Sequence, residues 1–456
     1  MTDSGEPVTA AAEGDRVRAA EGGFVPVPVL ELELSAEHPA LRPNALGQVV
    51  LLVRLHGVPL GTLTLLQPGP ADVDLRAVAL QSLREEVARH LERDGVGPDG
   101  GDRPPAVAVC ASVQLPSSTA VTVVVCTIGE DPRLVETVRS VLAQSHRDLE
   151  LVVVDNRPAS GRVAQLLAGT VDPRLRVVAQ PRPGLSAARN AGAAAATGSV
   201  IAFTDDDAAA DPDWVRNLVH PFDEDPAVAC TTGLVLPAAI STPAQAWFEE
   251  FGAFDKGFER RVWAVGARPE LAPLGPRGEG GVLFPYSAGV YGSGNNMAFR
   301  TDWLRTQPLF DEALGAGTIA RGGEDLDAFL RVMLAGGALV YEPRALVRHH
   351  ARSDLAALRR QMYGYGSGMA AVVVKHVVSS PRRAVEISAR LPAGLRKLLD
   401  PQSEKNATKT SAYPSVLVRS ELAGYAAGPV LLARSRRQST RRLREHPGPG
   451  PALSRG

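Results

Sequence analysis

Four short apolar runs constrain this chain more than any other feature. VTVVVC (121–126), LELVVVDN (149–156), RVVAQ (176–180) and SVIAFT (199–204) follow one another at regular intervals. Short continuous apolar runs are what a parallel sheet covered on both faces demands of its strands. The segments between them have helical spacing: Leu134, Val138, Val141 and Leu142 share one face, Val163 to Leu167 a second, and LSAARNAGAAAAT a third. Strands alternating with helices predict an α/β fold, a parallel-rich sheet flanked by helices. Ligands of such sheets collect beyond the carboxyl ends of the strands. Asp155 closes the second run, and Asp205-Asp206-Asp207 closes the fourth.

Carboxylates this close raise one another's pKa and repel, so solvent or a cation must offset them. Hard divalent ions take carboxylate oxygens together with substrate phosphates. Asp205 and Asp207, one residue apart in a strand-end loop, can face one ion; the alternative is a solvated loop. Asp211 before Pro212 reads as a helix cap. Asp155 can accept hydrogen bonds from a nucleotide base or ribose, or close an ordinary turn. In GGEDLD (322–327), Glu324 and Asp325 sit at a helix start, where a carboxylate either caps the helix or acts as a general base. Strand alternation from Val347 turns His349 inward, as a core side chain or a metal ligand. Arg189, in the small-residue helix, either reaches a diphosphate or makes a surface ion pair.

The 456 residues divide by composition. Residues 1–22 read as a disordered tail and 23–95 as a small α+β module. The module has a strand over 27–35, two strands around the His56-Gly57-Val58-Pro59 turn, and one helix carrying Leu80, Leu83, Val87 and Leu91, with no recognisable chemistry. Gly- and Pro-rich residues 96–119 form a linker, 120–378 the main α/β domain and 379–433 a helical segment. Residues 434–456, rich in arginine, read as a basic disordered tail, solvated or in contact with anionic lipid. The net charge of −1 argues against a nucleic-acid partner. Cys110, Cys126 and Cys230 make neither a disulfide framework nor a metal-ligand spacing. With no secretory leader and no uncharged apolar run of 18 residues, the expected setting is cytoplasmic, with peripheral contact at the inner membrane face left open.

Taken together, VTVVVCTIGEDPRLVETVRSVLAQS, LELVVVDN, PRPGLSAARNAGAAAATGSVIAFTDDDAAADPDWV, GSGNNMAFR, FDEALGAG, GGEDLDAFLRVMLAGG and YEPRALVRHH resemble a family-2 glycosyltransferase of the GT-A fold over about 120–375. The resemblance implies that Asp155 binds the nucleobase, with Thr127, Arg189, Asp205 and Asp206 also on the donor side. It implies a DXD element at Asp205-Asp206-Asp207 and a divalent Mg²⁺ or Mn²⁺ on Asp205, Asp207 and His349. Asp325 would be the catalytic base, with Glu324 its neighbour. The implied reaction moves a sugar from a nucleoside-diphosphate sugar to a glycan, lipid-linked or small-molecule hydroxyl, by one inverting displacement. The aromatics of WFEEFGAF, within 240–292, would line the acceptor side. No QxxRW-type motif is present, which fits single-sugar transfer. A nucleotidyltransferase would place a Gly-rich, Arg-containing loop where CTIGEDPR stands. A non-catalytic nucleotide- or carbohydrate-binding protein on the same fold is the other alternative.

Overall fold

A computed structural model describes residues 23–445 except 38–40, 66–68, 70–71, 97–109, 111–116, 253, 255, 307–309, 401, 404–405, 408 and 411. The tail expected over 1–22, most of the linker expected over 96–119 and the last residues of the expected basic tail lie outside the described residues.

The N-terminal module is a three-stranded sheet, β1 (Val29–Glu33), β2 (Val49–Leu55) and β3 (Val58–Leu65), with β1 parallel and β3 antiparallel to β2. His56 and Gly57 both have positive φ, 54° and 80°, as a two-residue hairpin loop requires if its twist is to match that of the strands. The single expected helix is two, α1 (Leu75–Ser82) and α2 (Arg84–Arg93), meeting at Leu83. The Asp74 carboxylate caps α1 by accepting from Arg76 and Ala77 N–H. Leu32, Leu51, Val53, Leu55, Leu75, Ala79, Val87 and Leu91 form the module's own core.

The main domain begins with β4 (Val121–Thr127), α3 (Leu134–Leu142), β5 (Leu149–Asp155), α4 (Arg162–Leu167), β6 (Leu175–Ala179), α5 (Leu185–Ala195), β7 (Val200–Asp205) and β8 (Ala208–Ala210). It continues through α6 (Trp214–Glu224), β9 (Val228–Pro237), α7 (Pro243–Phe251), β10 (Arg261–Trp263), β11 (Asn296–Arg300), α8 (Thr301–Thr306), α9 (Glu324–Leu334) and β12 (Ala338–His349). One sheet joins all nine strands in the order β10-β12-β9-β11-β7-β4-β5-β6, with β8 added on β12. β6, β5, β4 and β7 are mutually parallel, and β11 is inserted antiparallel between β7 and β9. Two apolar layers cover the faces, which is why β4, β5 and β7 are buried almost throughout. The α/β expectation is met, with the small module in front.

Three helices follow: α10 (Leu355–Ser379), α11 (Pro381–Leu399) and α12 (Ser415–Glu445). The expected disordered basic tail is corrected here, because Arg434 to Arg444 lie on α12. Tertiary contact supports the helix. Backbones of α10 and α12 approach so closely that a Cβ on Gly366 would stand 2.1 Å from the Glu421 carbonyl, and one on Gly424 2.2 Å from that of Tyr363. Arg442 Nη1 then donates to the Pro183 carbonyl at 3.0 Å. α12 is also long and apolar enough to cross a membrane by length and composition, with 28% of its apolar window buried. Arg419 and Glu421 break the uncharged run sought in the sequence, so that reading passed over it.

The module is docked on the main domain. Val27 N–H donates to the Ile240 carbonyl at 2.9 Å, and Val27, Val50 and Ile240 form a small shared core. Arg54 is paired with Glu31 and, at 2.5 Å, with Asp211; Arg348 of β12 also reaches Glu31. Asp211 is therefore an ion-pair partner of the module through Oδ2, while its Oδ1 accepts from Asp213 N–H at 3.3 Å, the capping-type contact expected at this helix start; Asp213 holds the cap position of α6 and makes no side-chain cap hydrogen bond of its own.

Candidate functional site

Strand register assembles the site. β4 pairs Thr127 with Asp155 on one side and Cys126 with Asp205 on the other, so three strand ends finish side by side. The chain turns through Asp206 and Asp207 into β8, which pairs antiparallel with β12, Ala208 opposite His349. That pairing carries Asp207 to His349, and His350 N–H donates to the Asp207 carbonyl at 3.0 Å. β11 runs antiparallel to β7 with Asn296 opposite Thr204, so the GSGNN loop faces the same edge. There Gly294 N–H donates to Asp325 Oδ2 at 2.9 Å, tying the start of α9 to the strand ends.

Arg189 is the hub beneath these carboxylates. It is 2% exposed. Its guanidinium donates to Glu324 Oε1 at 2.7 Å, to the Gly294 carbonyl at 2.9 Å and to Asp205 Oδ1 at 3.3 Å. Burial opposes its charge, but Glu324, Asp205 and Asp325 outweigh burial and hold the guanidinium above its usual range. The expected surface ion pair is thus a buried one, and the donor-facing role expected for Arg189 finds its hydrogen bonds spent inside the protein. Glu324 is likewise buried; burial and Asp325 push its carboxyl up, and Arg189 pulls it down.

Asp206 accepts from Thr127 Oγ1, whose oxygen in turn accepts from Gly129 N–H at 2.9 Å. Burial pushes the Asp206 carboxyl up to about 7, with Asp207 and Asp205 adding to it against the Thr127 hydrogen bond. Asp207 is raised as well, by burial and by Asp205. Asp155 is buried, and its Oδ1 accepts from Arg157 N–H at 2.9 Å.

The donor set suits a hard divalent cation. Asp207 Oδ1 is buried and has no hydrogen-bond partner among the described residues, and it lies 3.4 Å from His349 Nε2. Burial pushes the His349 imidazole down to about 4, leaving the neutral, ligating form. An orphaned carboxylate oxygen beside a neutral ring nitrogen costs free energy that a cation removes. Asp205, half-exposed on the same turn, adds a second carboxylate.

Some residues of the site escaped the sequence reading. Asn295 is buried with both side-chain polar atoms unpartnered among the described residues, next to the Gly294 that holds Asp325. Arg352 stands 3.6 Å from Asp207 Oδ2. Asp327, fully buried below Asp325, takes Arg331, Lys375 and His376 and fixes α9 to α10. Asn295 and Asp327 lie inside GSGNNMAFR and GGEDLD, where the sequence reading gave neither a role, and no short motif marks Arg352. The aromatic acceptor wall is corrected: Trp247 and Phe248 pack inward against Leu358, Met362 and Leu417. Phe251 stacks on Tyr365 at 6.1 Å, and Phe254 stands edge-on to His349 at 5.3 Å.

Comparison with known proteins finds similarity to glycosyltransferases. Residues 122–258 match Glycosyl transferase family 2. The chain is 37% identical over 152 residues to a glucosyl-dolichyl phosphate glucuronosyltransferase of Haloferax volcanii, covering 32% of this chain and 49% of that protein. It is 31% identical over 236 residues to a pre-mycofactocin glycosyltransferase of Mycobacterium tuberculosis, covering 52% and 44%. The chain thus spans about half the length of these curated relatives. A mannosyltransferase from Pyrobaculum calidifontis, solved in complex with GDP-Man and Mn²⁺, aligns with a TM-score of 0.42 at 18% identity, over 72% of this chain and 88% of that one. The chain carries a family-2 glycosyltransferase domain.

Proposed function

We propose that this chain transfers a sugar from a nucleoside-diphosphate sugar to an acceptor hydroxyl with inversion at the anomeric carbon. The observation that carries the reading is the orphaned Asp207 Oδ1 against His349, on the same strand-end edge as Asp155 and Asp325. Asp155 and Thr127 would receive the nucleoside. Asp205, Asp207 and His349 would hold Mg²⁺ or Mn²⁺, which when bound neutralises charge on the donor diphosphate.

Asp325 is the base. It is half-exposed, and Gly294 N–H and Leu326 N–H fix its two oxygens, at 2.9 and 2.8 Å. It removes the acceptor hydroxyl proton as that oxygen bonds to the anomeric carbon. The bond to the diphosphate breaks and the electron pair leaves with the diphosphate, so a single displacement inverts the centre. Glu324 is 5% exposed and paired with Arg189, so it positions the edge and leaves proton transfer to Asp325.

Among glycan, small-molecule and lipid-linked acceptors we favour the last, at the cytoplasmic face of a membrane. One relative is named for a lipid-linked substrate. α11 adds an exposed apolar face of Val385, Leu395 and Leu399 with Arg382, Arg396 and Lys397 beside it. Apolar residues flanked by basic ones suit an anionic lipid surface.

Thermal shift with UDP, GDP and dTDP and their sugars, with and without Mn²⁺, tests the site. A Mn²⁺-dependent shift for one nucleotide, lost in Asp207→Asn, is expected. Folded protein that no nucleotide shifts would indicate a different role.

A further inference from the structure

The N-terminal module holds a constellation that the transfer reaction does not use. His56 Nδ1 on the β2–β3 hairpin, His90 Nε2 and Asp94 Oδ2 at the end of α2, and Cys110 Sγ all lie within 4.8 Å of one another. His56 Nδ1 is 2.7 Å from Asp94 Oδ2 and 3.1 Å from His90 Nε2. His90 Nε2 is 3.2 Å from Asp94 Oδ2 and 3.4 Å from Cys110 Sγ. The side chains of His90 and Asp94 are fully buried, and Cys110 is buried too.

Hydrogen bonding alone fits these contacts poorly. If both rings donate to the ionised Asp94, their hydrogens oppose each other across 3.1 Å. If one ring donates to the other, the acceptor's lone pair faces a carboxylate oxygen. His90 Nδ1 has no partner among the described residues, so Nε2 carries the polar contacts of that buried ring. A cation at the centre satisfies all four atoms at once. Ligand bonds of about 2.0–2.3 Å in a tetrahedron put neighbouring ligand atoms roughly 3.3–3.6 Å apart. The four separations above, 2.7 to 3.4 Å, lie at or below that spacing, and the remaining two pairs lie within 4.8 Å, so a modest outward shift of the ligand atoms admits the ion.

We propose that His56, His90, Asp94 and Cys110 form a structural zinc site. Two imidazoles, a thiolate and a carboxylate are the ligand types of a borderline-soft ion in a closed four-coordinate shell. The preference differs from that of the oxygen-rich aspartate edge. The chain also prepares the site: Glu33 accepts from His56 and Gly57 N–H at 2.9 and 2.8 Å and so fixes the turn that aims His56. Those residues belong to the hairpin, to α2 and to the stretch leading to β4, so the ion would clamp three segments together. Sequence spacing concealed it, because the ligands are separated by unrelated intervals and meet only through packing.

The test uses the full chain, purified without a polyhistidine tag and passed over chelating resin. Elemental analysis should find about one zinc per chain in the wild type and in Asp207→Asn, and less than a tenth of that in Cys110→Ser and His90→Ala. Cobalt(II) added to the metal-free wild type should give intense visible bands of tetrahedral coordination with a near-ultraviolet thiolate band. That readout stands even if the variants fail to fold. Zinc below a tenth per chain after refilling, together with a cobalt spectrum lacking the thiolate band, overturns the site. Zinc that leaves with Asp207→Asn and stays in Cys110→Ser overturns it as well. Because the aspartate edge is intact in Cys110→Ser, loss of zinc there leaves the transferase reading untouched.

Discussion

Replacing Arg189 by Met should be costly in a measurable way. The guanidinium and the Glu324 carboxylate are 3% and 7% exposed and 2.7 Å apart, so solvent screens neither. Removing one member of such a pair strands the other, at about 3–5 kcal/mol. Glu324, already pushed up by burial and Asp325, would then take a proton near neutrality. Arg189→Met/Glu324→Gln removes both charges and should recover part of the loss, with a coupling of about 1–3 kcal/mol. Urea unfolding of the four proteins at constant pH measures the cycle. Arg189 also holds Asp205 and the loop that fixes Asp325, so turnover of the folded single variant should fall roughly 10²-fold. A loss of stability below about 1 kcal/mol, or a coupling near zero, would refute the hub.

Asp325→Asn should lower kcat by about 10²–10⁴ while nucleotide-induced thermal shifts stay within error, which separates the base from donor binding. Asp206 has a folded pKa raised to about 7 from 3.8, so its contribution to metal-free stability is complete below about pH 4 and disappears as pH rises through 7. The Mn²⁺-induced rise in Tm should therefore be larger at pH 8 than at pH 5.5; an equal rise at both would contradict it. Asp327 is held far below the usual carboxylate range: burial alone would raise it, and His376, Lys375 and Arg331 overcome that. Its contribution is present above pH 4 and lost on acidification, and Asp327→Ala should cost about 3–5 kcal/mol in denaturant titration. Val385→Glu/Leu395→Glu should abolish sedimentation with anionic vesicles if α11 lies on lipid, and unchanged sedimentation would remove that surface.

The strands were legible because both faces of the sheet are covered, which writes β4, β5 and β7 as unbroken apolar runs. Asp155 and the Asp205–Asp207 cluster were legible because they directly follow those runs, and parallel register aligns strand ends. What escaped depends on partners remote in sequence. Asp211 was legible as a helix-start carboxylate, but not its second duty, the ion pair of its other oxygen with Arg54, 157 residues away. The arginines of α12 looked disordered because helix formation there relies on glycine-sized contacts with α10. Trp247 and Phe248 looked available for ligand because nothing local says that Leu417 covers them. His90 and Cys110 meet across 20 residues of unremarkable sequence.

Adjacent residues of a strand point to opposite faces. At the end of β12, Arg348 serves the N-terminal module through Glu31, while His349 serves the aspartate edge through Asp207. Asp211 does the same one strand away, taking Arg54 only four residues after Asp207. A transferase core cut free at residue 117 would therefore carry a bare arginine and a bare aspartate beside its cation ligands. Exchanging donor specificity between relatives by grafting the core alone would import the same defect. The unit that can be swapped without rewiring the site begins at Phe24, where the chain first packs against Ile240.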